Sequence, residues 1–299
     1  MSEKTPETAA APFDSLLNFR DVAPLVNKAS KNPILRRGQL YRSARPDGAS
    51  DGDKGRLQDI CRIKTIIDLR SKTEHIEAAQ KYSKAVKVAN SSVVPLSNDQ
   101  VAIPLEIPRI NYAYINLNGR GFERHLVWQL SYKNLAYLAG YMLLGYRLEG
   151  ISIIGKNVLQ PRGLIGLAKD TLQHSGPEIK EVFKVLSNVE SYPVLVHCTQ
   201  GKDRTGLIVL LVLLLCGIDP ALISDDYTKS EQELAPEFED RMKEISSIGL
   251  DETFAKCPSD FVPKIVGFID TEYEGVENYL RKIGVEEEQI HTICKQMLL

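Results

Sequence analysis

Val194-Leu195-Val196 runs directly into His197-Cys198-Thr199-Gln200-Gly201-Lys202-Asp203-Arg204-Thr205-Gly206, and that segment runs into the apolar stretch Leu207 to Cys216. The first run is short and rich in valine, which predicts a buried strand. The last is almost wholly apolar and predicts a buried helix. Between them lies a polar connector holding a thiol, a glycine and a guanidinium. A strand feeding a helix through such a connector commits the chain to an α/β arrangement, with the connector at the carboxyl end of a strand.

A tight loop at Thr199 to Lys202 can turn successive backbone N–H groups inward as an anion nest. The helix beginning near Thr205 adds unpaired N–H groups and a partial positive charge. Arg204 can grip two oxygens of a tetrahedral anion with its planar fork, which a lysine cannot do. The same field favours a thiolate at Cys198 and so makes it a nucleophile. A nucleotide-binding phosphate loop is excluded. It needs a glycine at position 196, which is Val, and Ser or Thr after the lysine, where Asp203 stands. The phosphate this loop suits is therefore one under attack.

The rest of the chain is compatible with a sizeable core. Its 299 residues are 43% hydrophobic and 25% charged, with a net charge of −2 that supplies no global field for nucleic acid. Five cysteines without tight spacing suggest no disulfide framework, and without a C-x-x-C or His-x-x-x-His pair no zinc site is expected. No metal or other cofactor is expected. The polar start and the short apolar runs predict neither a signal peptide nor a membrane span, so a cytoplasmic location is expected.

Residues 1–12 read as a disordered tail and 13–299 as one domain. Strands are expected at Leu40 to Ser43, Lys64 to Leu69 and Val194 to Val196, with another at Lys84 to Val88 or Val93 to Leu96. Helices are expected from Ser50 or Asp51 through Cys61, then at Gly163 to His174 and at Pro177 to Asn188. Others should follow Asp219-Pro220 through Lys229, and occupy Pro236 to Ser246, Thr271 to Ile283 and Glu286 to Leu298. Apolar residues at helical spacing between Phe122 and Gly145 predict two helices of an insertion spanning about 120–176. Asp68-Leu69-Arg70 and His197-Cys198 both lie at strand carboxyl ends and are expected to be neighbours.

Asn18-Phe19-Arg20-Asp21, Leu40-Tyr41-Arg42-Ser43, Ile67-Asp68-Leu69-Arg70, the loop His197 to Gly206 and Asp226-Tyr227 with Ser230 together resemble the atypical microbial protein tyrosine phosphatases of dual or triple specificity. The resemblance covers roughly residues 15–299 and is loosest over 122–176. It implies a tyrosine-phosphatase-like α/β fold, with a central, mainly parallel sheet flanked by helices and a helical insertion. It also implies hydrolysis of phosphotyrosine, in some members also phosphoserine, phosphothreonine or phosphoinositides. The expected substrate is therefore a phosphoprotein or a phosphoinositide.

On that reading Cys198 is the nucleophile of a phosphocysteine intermediate and Arg204 holds the phosphoryl oxygens. Thr199, Gln200, Gly201, Lys202 and Thr205 complete the phosphate site. Thr205 either donates to the thiolate or simply caps the helix. His197 is expected to orient the loop through the backbone. No Trp-Pro-Asp segment is present to supply a general acid. The resemblance points instead to Asp203, inside the loop, or to Asp68, which is otherwise a helper or loop anchor; the bland alternatives pair Asp203 with Arg20 or Arg42 and give Asp68 a strand-end turn bond. Lys202 is read as a rim charge that would welcome a second phosphate, or else as a solvent-facing lysine. One arginine among Arg36, Arg37, Arg42 and Arg45 is expected at the pocket. The helices of Phe122 to Gly145 form either a lid over the thiol or ordinary core.

Overall fold

A computed structural model describes residues 13–30, 33–82 and 105–299. Five strands form one sheet in the order β1-β2-β5-β3-β4: β1 (Arg20–Asp21), β2 (Leu40–Ser43), β3 (Thr65–Asp68), β4 (Asn111–Tyr114) and β5 (Val194–His197). All neighbours are parallel except β1 with β2. The central strand β5 is buried throughout and its side chains alternate between two cores. Val194 and Val196 join Ile67 in the larger core, whereas Leu195 joins Ile66, Leu16, Leu57 and Ile63 in the smaller one. The register pairs His197 with Ser43 on one side and with Asp68 on the other. Three strand ends therefore converge where the polar connector begins, as the sequence predicts for two of them.

β4 was not foreseen. Its Asn111-Tyr112-Ala113-Tyr114 segment lies at the sheet edge, half-exposed, and carries no apolar alternation that would mark a strand. The strand expected at 84–88 or 93–96 lies outside the described residues.

The helices, in chain order, are α1 (Ala23–Ala29), α2 (Asp51–Gly55, extended by a π turn to Ile60), α3 (Lys72–Tyr82), α4 (Arg120–Trp128), α5 (Tyr132–Leu143), α6 (Arg147–Ile154) and α7 (Gln160–His174). They continue with α8 (Gly176–Leu186), α9 (Asp203–Leu215), α10 (Pro220–Glu233), α11 (Phe238–Ser247), α12 (Phe261–Tyr273), α13 (Val276–Lys282) and α14 (Glu287–Met297). α9 leaves the connector and is apolar all round because it runs through the middle of the larger core, against α7, α10, α13 and α14. Each of its fully buried leucines contributes about 1.5–3 kcal/mol. It ends as expected at Gly217, where Ile218 N donates to Leu213 O, and Asp219 then caps α10 by accepting from Ala221 N.

The expected helix at Thr271 to Ile283 is two helices. Glu274 (φ 60°) and Gly275 (φ 112°) take left-handed backbone and split it, and the upstream part begins ten residues earlier, at Phe261. No described helix is long and apolar enough to cross a membrane.

Candidate active site

Around the connector, every carbonyl from His197 to Lys202 is taken up on the outer side of the loop. His197 O accepts from Leu69 N, and Cys198 O from His197 Nδ1 at 3.0 Å. Thr199 O accepts from Arg45 N, Gln200 O and Gly201 O from Asn18 Nδ2, and Lys202 O from Gly206 N. With their carbonyls engaged, the amides of Thr199 to Lys202 donate to no protein acceptor among the described residues and are free for an anion. That is an anion nest. Gly201 makes the turn possible: its φ is 64°, and a Cβ there would sit 1.9 Å from Ser43 O. Cys198 is buried at the start of this segment, and α9 begins at its other end, at Asp203.

Behind the nest is a buried polar wall. Arg42 donates from Nη2 to Gly201 O at 2.7 Å and pairs through Nη1 with Asp226. Arg20 donates to the same carboxylate at 2.7 Å, to Asp226 O, and to Ser230 Oγ at 3.0 Å. Asn18 accepts from Arg20 while its amide holds the loop. The bland pairing of Asp203 with Arg20 or Arg42 is therefore wrong: both arginines belong to Asp226, whose carboxyl they hold below the ordinary range against the cost of burial. Arg45, not Arg42, reaches the pocket side, between Thr199 O and Glu237.

Asp68 lies under the loop, fully buried. Arg70 donates to it from N, Nε and Nη2, and His75 and His197 each lie 3.4 Å from Oδ2. Burial alone would raise its pKa, but His197 and Arg70 outweigh that and hold it well below the carboxylate range. A carboxylate so held has no proton to give. Of the two expected roles for Asp68, the geometry favours the anchor and opposes the acid. Burial lowers the pKa of His197, and its Nδ1 lies 3.0 Å from Cys198 O, which ties the ring to the loop backbone.

Arg204 meets a partner the sequence reading passed over. Glu74 accepts from Nη1 at 2.8 Å and from Nη2 at 2.6 Å, and also from the Thr199 hydroxyl. Arg204 in turn holds the Glu74 carboxyl far below its ordinary range despite burial. After these bonds and one to Leu69 O, the guanidinium keeps Nε–H and one Nη2–H for a ligand. A signal for Glu74 was present. Ser71-Lys72-Thr73-Glu74 has the spacing of a helix capping box, and Ser71 N and Oγ do bond the Glu74 carboxylate, at 2.9 and 2.8 Å. Tertiary structure gives that carboxylate its second use.

Lys202 is not a rim residue. Its side chain is 0% exposed, and Nζ donates to Phe254 O at 2.8 Å and Lys256 O at 2.9 Å, tying a distant segment to the loop. Only its backbone amide faces the nest. Asp203, the first residue of α9, is 34% exposed at its side chain and borders a cavity of about 250 Å³ together with Arg204. Phe122 and Leu126 of α4, Leu164 and Leu167 of α7, and Leu207 form its apolar wall. Tyr227 lies next to Asp203, and its pKa is raised first by burial and then by that charge. The Thr205 hydroxyl is buried with no protein partner, as is Oε1 of Gln200. Arg241 of α11, which no sequence pattern singled out, borders this cavity and also the hollows beside Thr199 and Gln200. α4 thus walls the site, while α5 has no buried residue and touches the core only through Leu138.

Residues 11–299 match a tyrosine phosphatase family as a whole. The chain belongs to that family. It is 31% identical to a tyrosine-protein phosphatase of Nostoc commune over 41% of this chain and 45% of that one. It is 30% identical to the triple specificity protein phosphatase PtpB of Mycobacterium tuberculosis over 33% of this chain and 41% of that one. An inositol diphosphatase of Oryza sativa is 26% identical over 47% of this chain and 71% of its own length. The matches thus span under half the length of the two bacterial relatives.

Proposed function

We propose that this tyrosine phosphatase family member hydrolyses phosphotyrosine in proteins through a phosphocysteine intermediate. The observation that carries the reading is the loop itself: each carbonyl is bonded, the amides of Thr199 to Lys202 have no protein acceptor among the described residues, and a buried thiol and a guanidinium clamped by Glu74 flank them. Cys198 Sγ attacks phosphorus as the bond to the phenolic oxygen breaks, and Asp203 gives its proton to that oxygen. Water then attacks the phosphocysteine, Asp203 takes up a proton, and inorganic phosphate leaves with the thiolate restored. Arg204 and the loop amides hold the equatorial oxygens throughout. Thr205, with its hydroxyl free, donates to the departing sulfur. Asp203 is preferred to Asp68 as the acid because it borders the cavity, whereas Asp68 is an anchored carboxylate under the loop. No metal enters this scheme.

Similarity to the rice inositol diphosphatase supports a second reading, an inositol phosphate or phosphoinositide substrate. The rim lysine that favoured it lies buried, and Arg45 and Arg241, which border the hollow beside Thr199, are paired with Glu237 and Glu244, so it stands second.

Cys198→Ser tests the first step: it is expected to lower turnover about a thousandfold or more while still binding phosphopeptide. Normal turnover would rule out the covalent route. Asp203→Asn is expected to slow a phosphotyrosyl peptide about a hundredfold and an activated aryl phosphate far less. Equal losses on both would remove Asp203 as the acid.

A further inference from the structure

α5 is a helix without a core. Its sequence, Tyr-Lys-Asn-Leu-Ala-Tyr-Leu-Ala-Gly-Tyr-Met-Leu, is apolar on most sides, yet none of its residues is buried. A helix of that composition ordinarily lies inside a protein or in contact with an apolar phase. Here Leu138 is partly packed, against the Phe122–Leu126 cluster, and Met142 lies beside Gly150 of α6. Trp128 is 80% exposed, Tyr132 94%, Leu143 87% and Leu144 73%. Among the described residues, all large exposed apolar side chains except Ile60, Val189, Phe238 and Leu299 fall between Trp128 and Tyr146. Single exposed apolar residues are ordinary on a protein surface, but a cluster of this extent is not.

The composition and charge of this face identify what covers it. Its aromatic members are one tryptophan and several tyrosines, rings with an apolar body and a polar tip that suit the boundary between lipid tails and water. The surrounding segment carries Arg120, Arg124, Lys133, Arg147 and Lys156 against Glu123 and Glu149, a positive excess in a chain whose total is −2. Lys133 Nζ lies 5.8 Å from the Tyr137 ring, within the apolar face itself. A second copy of the chain would set this positive excess against itself; an anionic surface neutralises it.

We propose that α5, with Trp128 and the Leu143–Tyr146 turn, docks on an anionic lipid bilayer and lies in its interface. The apolar face enters the headgroup boundary while the exposed Arg120, Arg124 and Lys133 meet anionic headgroups. Because α4 leads into α5 and walls the cavity beside Asp203 and Arg204, docking brings the mouth of the site to the membrane plane. The proposal holds whichever phosphate ester the loop accepts.

Trp128 is the only tryptophan in the chain, so its emission reports this face directly. The full chain is titrated with vesicles of phosphatidylcholine alone and of phosphatidylcholine with about 30% phosphatidylserine. A blue shift on the anionic vesicles, quenching by lipids brominated high on the acyl chain, and affinity at least about tenfold weaker for neutral vesicles support the proposal. The double variant Leu143→Asp/Leu144→Asp is expected to lose at least about tenfold in vesicle binding, yet to keep its melting temperature and its rate on soluble p-nitrophenyl phosphate. Three results overturn the proposal: no response to either vesicle, an equal response to both, or a blue shift that grows with protein concentration without lipid and tracks a doubled mass. The last would assign the face to contact between copies.

Discussion

The wall behind the phosphate loop and the helix pair α4–α5 spend polar and apolar residues in opposite ways. Behind the loop, Asn18, Arg20, Arg42, Asp226 and Ser230 are buried and bonded to one another or to loop carbonyls. On α5, no side chain is buried and most of the large apolar ones stand exposed to water. A buried charge network costs desolvation and returns it only when its geometry is satisfied, so it fixes one loop conformation. An exposed apolar face does the reverse: it adds little to folding and keeps its transfer free energy for another surface. One region sets the chemistry, and the other is left available for contact.

The contrast predicts very different responses to substitution. The largest should come from Asp226→Ala, which strands two buried guanidinium groups and is expected to cost about 3–5 kcal/mol in urea unfolding, together with activity. If Asp226→Ala left stability unchanged, the wall would not be holding the loop. Glu74→Gln keeps the shape and the helix cap but removes the charge that clamps Arg204. A fall of about tenfold in kcat/KM, with little change in melting temperature, is expected. An unchanged kcat/KM would leave Glu74 as a cap alone.

Acid should separate the two regions as well. Glu74 and Asp226 have folded pKa values below their ordinary 4.5 and 3.8, so their contribution is complete above those values and is lost as pH falls through the folded ones. His197 is held neutral with its pKa below 6.5, so the unfolded chain takes up that proton first, and stability begins to fall below that pH. Calorimetry from pH 7 downward should show a gentle decline in melting temperature, then a steep one below about pH 4.5. A flat profile would mean these groups titrate alike in both states. The smallest effect belongs to the outer helix: Tyr137→Ser is expected to change stability by no more than about 0.5 kcal/mol. A loss above about 2 kcal/mol would mean that α5 packs against the body of the protein after all.

The loop was legible in the sequence because its chemistry is local. Thiol, glycine, guanidinium and the start of α9 are adjacent in the chain, and strand, turn and helix signals bracket them. The Asn18, Arg42 and Asp226 segments could be recognised by resemblance, but their partners could not be assigned. The sequence offered Arg20 and Arg42 to Asp203, a neighbour in the loop, and only the packing of α10 behind the sheet gave them to Asp226. Lys202 misled for a similar reason. Lysines are seldom fully buried, so a solvent-facing side chain was the natural expectation. Two carbonyls of the 254–256 segment provide the acceptors that let its ammonium lie inside.

Local order along the chain therefore determined the strand–loop–helix unit, the fold class and which thiol and guanidinium are proposed to react. Tertiary structure alone decided which carboxylate clamps Arg204, which one anchors the loop from below and which borders the cavity. The physical reason is that a charge's role follows from its desolvation and its nearest opposite charge. Both are set by elements more than a hundred residues apart in the chain, as Glu74 is from Arg204 and Arg42 from Asp226.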